Sequence, residues 1–131
     1  MLDLDGIWRL TDSRAWDAAG VPQPKPYGDR PLGQLAFDRG RMICALCNGD
    51  PGLTGGRGYS SYGGPYDFDG ETLTTHVEMA SEHERIGGQQ VRRIERVNDD
   101  TIVLHPPARA YEGAVARREL VWQRVWRPTP A

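Results

Sequence analysis

Two side chains capable of acid–base chemistry stand two positions apart in the stretch Thr72-Leu73-Thr74-Thr75-His76-Val77-Glu78-Met79-Ala80-Ser81. Its β-branched content reads as a strand, in which alternate side chains share a face. Thr74, His76 and Glu78 then point one way, and Leu73, Val77 and Met79 the other. With a rise of ~3.3 Å per residue, His76 and Glu78 lie about 6 to 7 Å apart at the backbone. That spacing lets both touch one small ligand, or lets the carboxylate orient the imidazole. An imidazole held beside a carboxylate is equipment for general acid or base catalysis near neutrality. The chemistry requires the polar face to meet the interior. If the apolar face does so instead, His76 and Glu78 belong to the surface, and the sequence leaves both orientations open.

Other side chains would complete such a site. Arg92 shares a strand face with Gln90 and Ile94. Facing a cavity, its guanidinium would hold a carboxylate or enolate in a fork; opposite Glu78 it would form an ion pair; on an outer face it would simply be solvated. Tyr62 and Tyr66 share a face of the preceding strand, where their rings pack and their hydroxyls can donate. The catalytic set read from the sequence is therefore His76, Glu78, Arg92 and Tyr66. Tyr62, Tyr27, Trp16 and Met42 are read as the ligand-binding set.

Several chemistries lack their signatures. The three histidines show no His-x-His or His-Glu-x-x-His spacing, so neither a metal nor a cofactor is expected. There is no Gly-x-Ser-x-Gly, and neither cysteine has an evident base partner. Cys44 and Cys47 form a lone Cys-x-x-Cys within a strand pattern, which sends the sulfurs to opposite faces as reduced packing residues. Gly55-Gly56-Arg57-Gly58 lacks the Lys-Ser/Thr of a phosphate loop and reads as a connector.

The elements that must position these residues are strands. The 131 residues suit one domain, 1–131, and the near balance of 16 basic and 18 acidic residues argues against charge-driven nucleic-acid or membrane-surface binding. Lys25 is the only lysine. No basic segment followed by an apolar run opens the sequence, and no run approaches a bilayer-spanning length, so a cytoplasmic protein is expected. The first strand is Gly6–Thr11, with Gly6 leaving room for a neighbouring backbone. Residues 12–30 are broken by Gly20, Pro22, Pro24, Pro26 and Gly28 and read as a lid that Trp16 and Tyr27 fold inward. A hairpin follows, with Leu35 and Phe37 on one arm, a three-residue turn Asp38-Arg39-Gly40, and Met42, Cys44 and Leu46 on the other. Further strands cover Tyr59–Phe68, Thr72–Ser81, Gln89–Val97, Thr101–His105 and Arg117–Trp126. About eight strands joined by short turns, with no long helix, predict an all-β, eight-stranded antiparallel up-and-down barrel with an irregular lid after the first strand. Such a barrel holds packed side chains or one small ligand.

The residues also resemble the bacterial lipocalin-like domain family, within the calycin group of barrels. Gly6-x-Trp8 resembles the opening strand of that group. Leu120-Val121-Trp122-Gln123-Arg124 resembles its last strand, and the resemblance implies that Arg124 packs over Trp8 as a plug at the closed end. Pro26-Tyr27-Gly28, Pro31-Leu32-Gly33-Gln34-Leu35, Gly40-Arg41-Met42, Tyr62-Gly63-Gly64-Pro65-Tyr66, His76-Val77-Glu78 and Gly87-Gly88-Gln89-Gln90-Val91-Arg92 follow the family's order and spacing. The family often has a histidine where Thr75 stands and a tryptophan near Arg85-Ile86.

The resemblance implies a barrel with a pocket, and the expected partner is a small hydrophobic or aromatic molecule, with homodimerisation left open. One reading is cofactor-independent acid–base chemistry on that molecule, of isomerase, cyclase, dehydratase or decarboxylase type. The other is a non-catalytic carrier or sensor. A lining with convergent His, Glu and Arg favours the enzyme; a lining with few polar contacts favours the carrier.

Overall fold

The computed structural model describes residues 2–53, 58–107 and 115–129; the Thr54–Arg57 part of the glycine-rich connector lies outside the described residues. The strands, in chain order, are β1 (Gly6–Trp16), β2 (Pro22–Gln23), β3 (Pro31–Asp38), β4 (Arg41–Asn48), β5 (Ser60–Phe68), β6 (Thr72–His76), β7 (Met79–Ala80), β8 (Gln89–Asn98), β9 (Thr101–His105) and β10 (Arg117–Trp126). A single 3-10 turn, His83–Arg85, is the one helical element among the described residues. β3, β4, β5, β6, β8, β9 and β10 follow one another antiparallel, and β10 returns to pair with β1. With the two-residue β2 and β7 set aside, eight strands close an up-and-down barrel, as the spacing of turns predicts. Among the described residues no helix is long and apolar enough to cross a membrane.

The interior follows from alternation. Trp8, Leu10, Leu35, Phe37, Met42, Cys44, Leu46, Leu73, Ile94, Ile102, Leu104 and Trp122 are buried in one cluster. One end is sealed. The Arg124 guanidinium stacks 4.3 Å from the centroid of the Trp8 ring. It donates to the carbonyls of Asp5 (2.7 Å) and Asp99 (2.5 Å) and to the Asp100 carboxylate (3.1 Å). Trp8 Nε1 donates to the Leu4 carbonyl at 2.9 Å. Each of the three Arg124 guanidinium nitrogens, and the Trp8 indole nitrogen, thus donates to an oxygen, which is what makes a buried guanidinium tolerable. Gly6, at φ +130°, lets the Trp126 carbonyl approach where a Cβ would collide with it.

Several expectations need correction. The first strand does not stop at Thr11. A bulge between Leu10 and Asp12 carries it on to Trp16, paired with β10 from Asp12↔Val121 to Trp16↔Arg117. Only the later part of the expected lid is a loop. Ser13 Oγ accepts the Tyr27 N–H at 3.0 Å and draws that tyrosine over the barrel mouth, while Trp16 stacks on Arg117 at 4.2 Å. The β3–β4 turn has two residues, not three. Asp38 pairs with Arg41, and Arg39 and Gly40 both take positive φ (52° and 78°), the type I′ geometry that matches the strand twist.

The other two corrections concern the strand of the His-x-Glu pair, which is interrupted. Tyr66 pairs with Thr75, but Gly63 pairs with Met79, so three residues (76–78) oppose two (64–65). Val77 N–H donates to the Gly88 carbonyl and Glu78 N–H to the Gly63 carbonyl, both at 2.9 Å. This bulge reverses the alternation. Leu73, Thr75 and Val77 face inward, but Met79 does not join them and is 42% exposed. The bulge depends on Gly64, which sits at φ +154° against the His76 carbonyl oxygen.

Gly64→Ala should therefore cost roughly 2 to 4 kcal/mol in urea unfolding, from φ strain and a collision with backbone together. Gly40→Ala is strained in φ (+78°) but meets nothing within 4 Å. It should cost only about 1 kcal/mol. Equal costs would show that the bulge does not need its glycine. Arg124→Ala should cost roughly 2 to 4 kcal/mol by uncovering the Trp8 ring, removing the Asp5 carbonyl's guanidinium donor and leaving the Asp99 carbonyl only the 3.5 Å contact from Arg127. Arg124→Lys should not restore it, because an ammonium does not reproduce the planar fork.

Candidate functional site

The end of the barrel opposite the Trp8–Arg124 plug opens into a cavity of about 380 Å³. That volume falls within the ~300 to 1,000 Å³ range of small-molecule sites. Leu46, Leu104, Leu120 and Trp122 line its apolar part, and Tyr27 and Tyr59 stand at its rim. Its strand residues stand at alternate positions: Cys44 and Leu46 on β4, Ser60 and Tyr62 on β5, Gln90 and Arg92 on β8, and Arg118, Leu120 and Trp122 on β10.

The polar part of the lining is built around arginine. Arg85, on the 3-10 turn, donates to Ser60 Oγ at 3.1 Å and to Gln90 Oε1, and lies 3.7 Å from the Glu82 carboxylate. Its guanidinium also covers the Tyr62 ring at 4.8 Å. Arg92 donates to the Val91 carbonyl at 2.9 Å and, with Arg85 and Arg118, places three guanidinium groups in one lining. Among the described residues Glu82 is the only carboxylate there. The interior of a chain whose formal charge is -2 is thus locally cationic.

Burial pushes the Tyr62 hydroxyl upward, against the fields of Arg92 and Arg85, and it hydrogen-bonds with Gln90 and Cys44. Burial likewise pushes the Cys44 thiol up to about 12, so neither group is a nucleophile at neutral pH. Trp122 contributes one more donor. It is fully buried, and its indole N–H is the one buried side-chain polar atom among the described residues without a hydrogen-bond partner.

The residues read from the sequence divide between this cavity and other places. Arg92, Tyr62 and Tyr27 line it together. His76 and Glu78 do not. The inward face of β6 is Leu73–Thr75, which leaves His76 outside, bonded to Asp67 at 2.8 Å, and Glu78 outside, paired with Arg41. The physical reason is the ordinary one: Leu73 and Val77 fill the core, and the polar alternates meet solvent. Tyr66 lies toward the closed end, edge-on to Phe37 with centroids 5.0 Å apart. Burial pushes its hydroxyl up to about 12, and the carboxylates of Asp5 and Asp3 add to the shift. Met42 belongs to the core, and Trp16 to the stack with Arg117 on the β1–β10 edge.

Arg85, Gln90, Arg118 and Trp122 are among the cavity residues that sequence reasoning did not assign. A signal existed for three of them. Gln90 shares the face of Arg92 and Ile94, and Arg118 stands two residues before Leu120 on the face of Trp122. Arg85 had none, since it lies in a polar run that reads as a loop. Among the described residues no group of three or more His, Cys, Asp or Glu could hold a metal.

Comparison with curated protein sequences finds no match. Among solved structures, the chain is similar to the crystal structure of an uncharacterized protein from Bacteroides eggerthii. The two are 13% identical with a TM-score of 0.49, over 93% of this chain and 99% of that one. The model of the lipocalin-like domain family matches residues 5–125. Closed strand order, a plug at one end, a cavity at the other and that match agree, and the chain belongs to the lipocalin-like domain family.

Proposed function

We propose that this protein binds a small, largely apolar or aromatic molecule in the barrel and holds it as a carrier or sensor. The observation that carries this reading is the cavity itself: about 380 Å³, with an apolar wall of Leu46, Leu104, Leu120 and Trp122 and polar side chains beside it. A lipocalin-like barrel suits small-molecule binding, and the histidine singled out in the sequence, His76, lies outside this cavity, bonded to Asp67. Enlarging a side chain within the cavity should abolish binding. Leu120→Trp is expected to reduce the affinity for a fluorescent apolar probe such as N-phenyl-1-naphthylamine by at least tenfold, or about 1.4 kcal/mol. His76→Ala, on the outer face, should leave it unchanged. Equal effects of the two variants would remove the cavity from the reading.

One observation favours a second reading. Guanidinium groups and the Tyr62 hydroxyl in one lining also suit stabilisation of negative charge developing on a carbonyl oxygen. A cofactor-independent isomerase, cyclase or lyase built on them would use Glu82, the one carboxylate among the described lining residues, as its base. Under this reading a bound ketone or β-keto acid exchanges or loses its acidic proton, and Glu82→Gln lowers that rate by roughly 10²-fold or more. Proton exchange followed by NMR separates the two readings: a carrier leaves the ligand's α-protons at their rate in buffer.

A further inference from the structure

The outer face of the barrel is uneven in charge. On β8 and β10 the positions that alternate with the lining include Arg93, Glu95, Arg117 and Glu119, as suits a solvated sheet face. On β3, β4 and β5 the corresponding positions include Leu32, Gln34, Ala36, Ile43, Ala45 and Ser61, none of them charged. Charge stands at one border of this face, where Arg41 pairs with Asp38 across the β3–β4 turn and with Glu78 through its side chain. A centre depleted of charge within a polar rim is the composition of a protein interface.

The strand register gathers the centre into one row. Ala36 pairs with Ile43, Ile43 with Gly63, and Gly63 with Met79. Ile43 is 48% exposed, and between it and Met79 the bare backbone of Gly63 floors a depression of about 430 Å³. Met79 reaches this face through the bulge at 76–78, since unbroken alternation would turn it inward with Leu73, Thr75 and Val77. An interrupted ladder thus sets an apolar side chain in water, opposite to what burial favours within the single chain.

The row reads small, large, small, large. A two-fold axis along the strands, between β4 and β5, sets Ile43 of each copy against Gly63 of the other. The same axis sets Met79 of each copy against Ala36 of the other. Large on small is the pattern by which facing layers interdigitate, and the unbranched thioether of Met79 adapts to the curvature of the barrel. A surface that complements itself under a two-fold is an isologous interface. Its border is also self-complementary, because Arg41 stands between two carboxylates and can turn to one on the other copy.

We propose that this face is the interface of a two-fold homodimer, with the Ala36–Ile43–Gly63–Met79 row at its centre. The occupant is a second copy of this chain. Four strands ~4.8 Å apart, over about 20 Å of strand, present less than the roughly 800 Å² per partner of a standard interface, so the dimer is weak and reversible. The depression shares no described lining residue with the barrel cavity, and dimerisation leaves that cavity free.

Sedimentation equilibrium at loadings from about 10 µM to about 1 mM covers the range expected of a small interface. The weight-average mass should rise from the 14.6 kDa of one chain toward twice that value. Ile43→Lys and Met79→Lys should each weaken association at least tenfold. Val97→Lys, at an exposed apolar position on β8, should leave it unchanged. All three side chains are exposed, and a near-ultraviolet circular dichroism spectrum matching the wild type shows each variant to be folded. A mass of 14.6 kDa at the highest loading would overturn the dimer and leave the face to a partner of different sequence. Association that survives both Ile43→Lys and Met79→Lys, or that Val97→Lys weakens equally, would overturn its placement on this row. A monomer whose binding of N-phenyl-1-naphthylamine is lost in Ile43→Lys would overturn it in favour of a small-molecule groove.

Discussion

The seam between β1 and β10 is the constraint on which the rest of this barrel depends. Without it the sheet would have two open edges, each a row of unpaired backbone groups. β1 makes the closure by pairing with β10 through most of its length and with β3 only over Gly6–Arg9. Two irregularities in that pairing, next to Trp8 and at Thr11, bend the strand around the barrel. The seam is locked where it is most crowded: Gly6 admits the Trp126 carbonyl, and Arg124, two residues before Trp126, covers Trp8. One arginine thus serves the closure of the sheet, the sealing of one end and the capping of two backbone carbonyls.

Sealing one end decides the character of the other. Large side chains accumulate at the closed end, where Trp8, Leu35, Phe37 and Leu73 are fully or almost fully buried. Toward the mouth the inward positions become smaller or polar: Ser13, Ser60, Thr75, Gln90 and Arg92. The interior therefore grades from a packed core to a cavity along one axis. Chemistry is confined to the half that the core does not fill, and this is why Tyr66 and Tyr62, on the same strand, have different surroundings. Tyr66 is at the closed end near Asp5, while Tyr62 is at the cavity beneath Arg85.

Strand existence, order and most inward faces were legible from alternation alone. Trp122 and Arg124 are buried on one face as their spacing sets out, and Gly6 admits a backbone as a lone glycine at a strand start should; for Gln90, Arg92 and Ile94 the spacing groups one face but leaves open whether it turns inward, as it does. The illegible parts have a common cause, which is irregular backbone. The bulge at 76–78 is set by Gly64 on a neighbouring strand, so nothing in Thr72–Ser81 marks where its alternation reverses. Arg85 reaches the cavity because the chain makes a 3-10 turn over it, and a polar run carries no period to say so. His76 and Glu78 misled for a different reason. Chemistry-bearing residues on a strand are conspicuous, but Leu73 and Val77 bury more apolar surface by facing in, and that term decides the orientation.

The same division explains how the fold sustains three guanidinium groups around one cavity. Removing one charge from water costs several kcal/mol after relaxation, and neighbours of like sign add to it. The cost is met partly in place: Arg85 is held by Ser60 and Gln90 and lies near Glu82, and Arg92 donates to the Val91 carbonyl. The remainder falls on a structure whose stability resides at the opposite end, in the Trp8–Arg124 plug and the packed core above it. Arg124 and the mouth arginines are thus chemically alike but energetically opposed. Arg124 has protein oxygens for its donors and stabilises the closure. The mouth arginines line a cavity instead: Arg85 is held at its edge by Ser60 and Gln90, beside Glu82, where the sheet is not filled by core side chains.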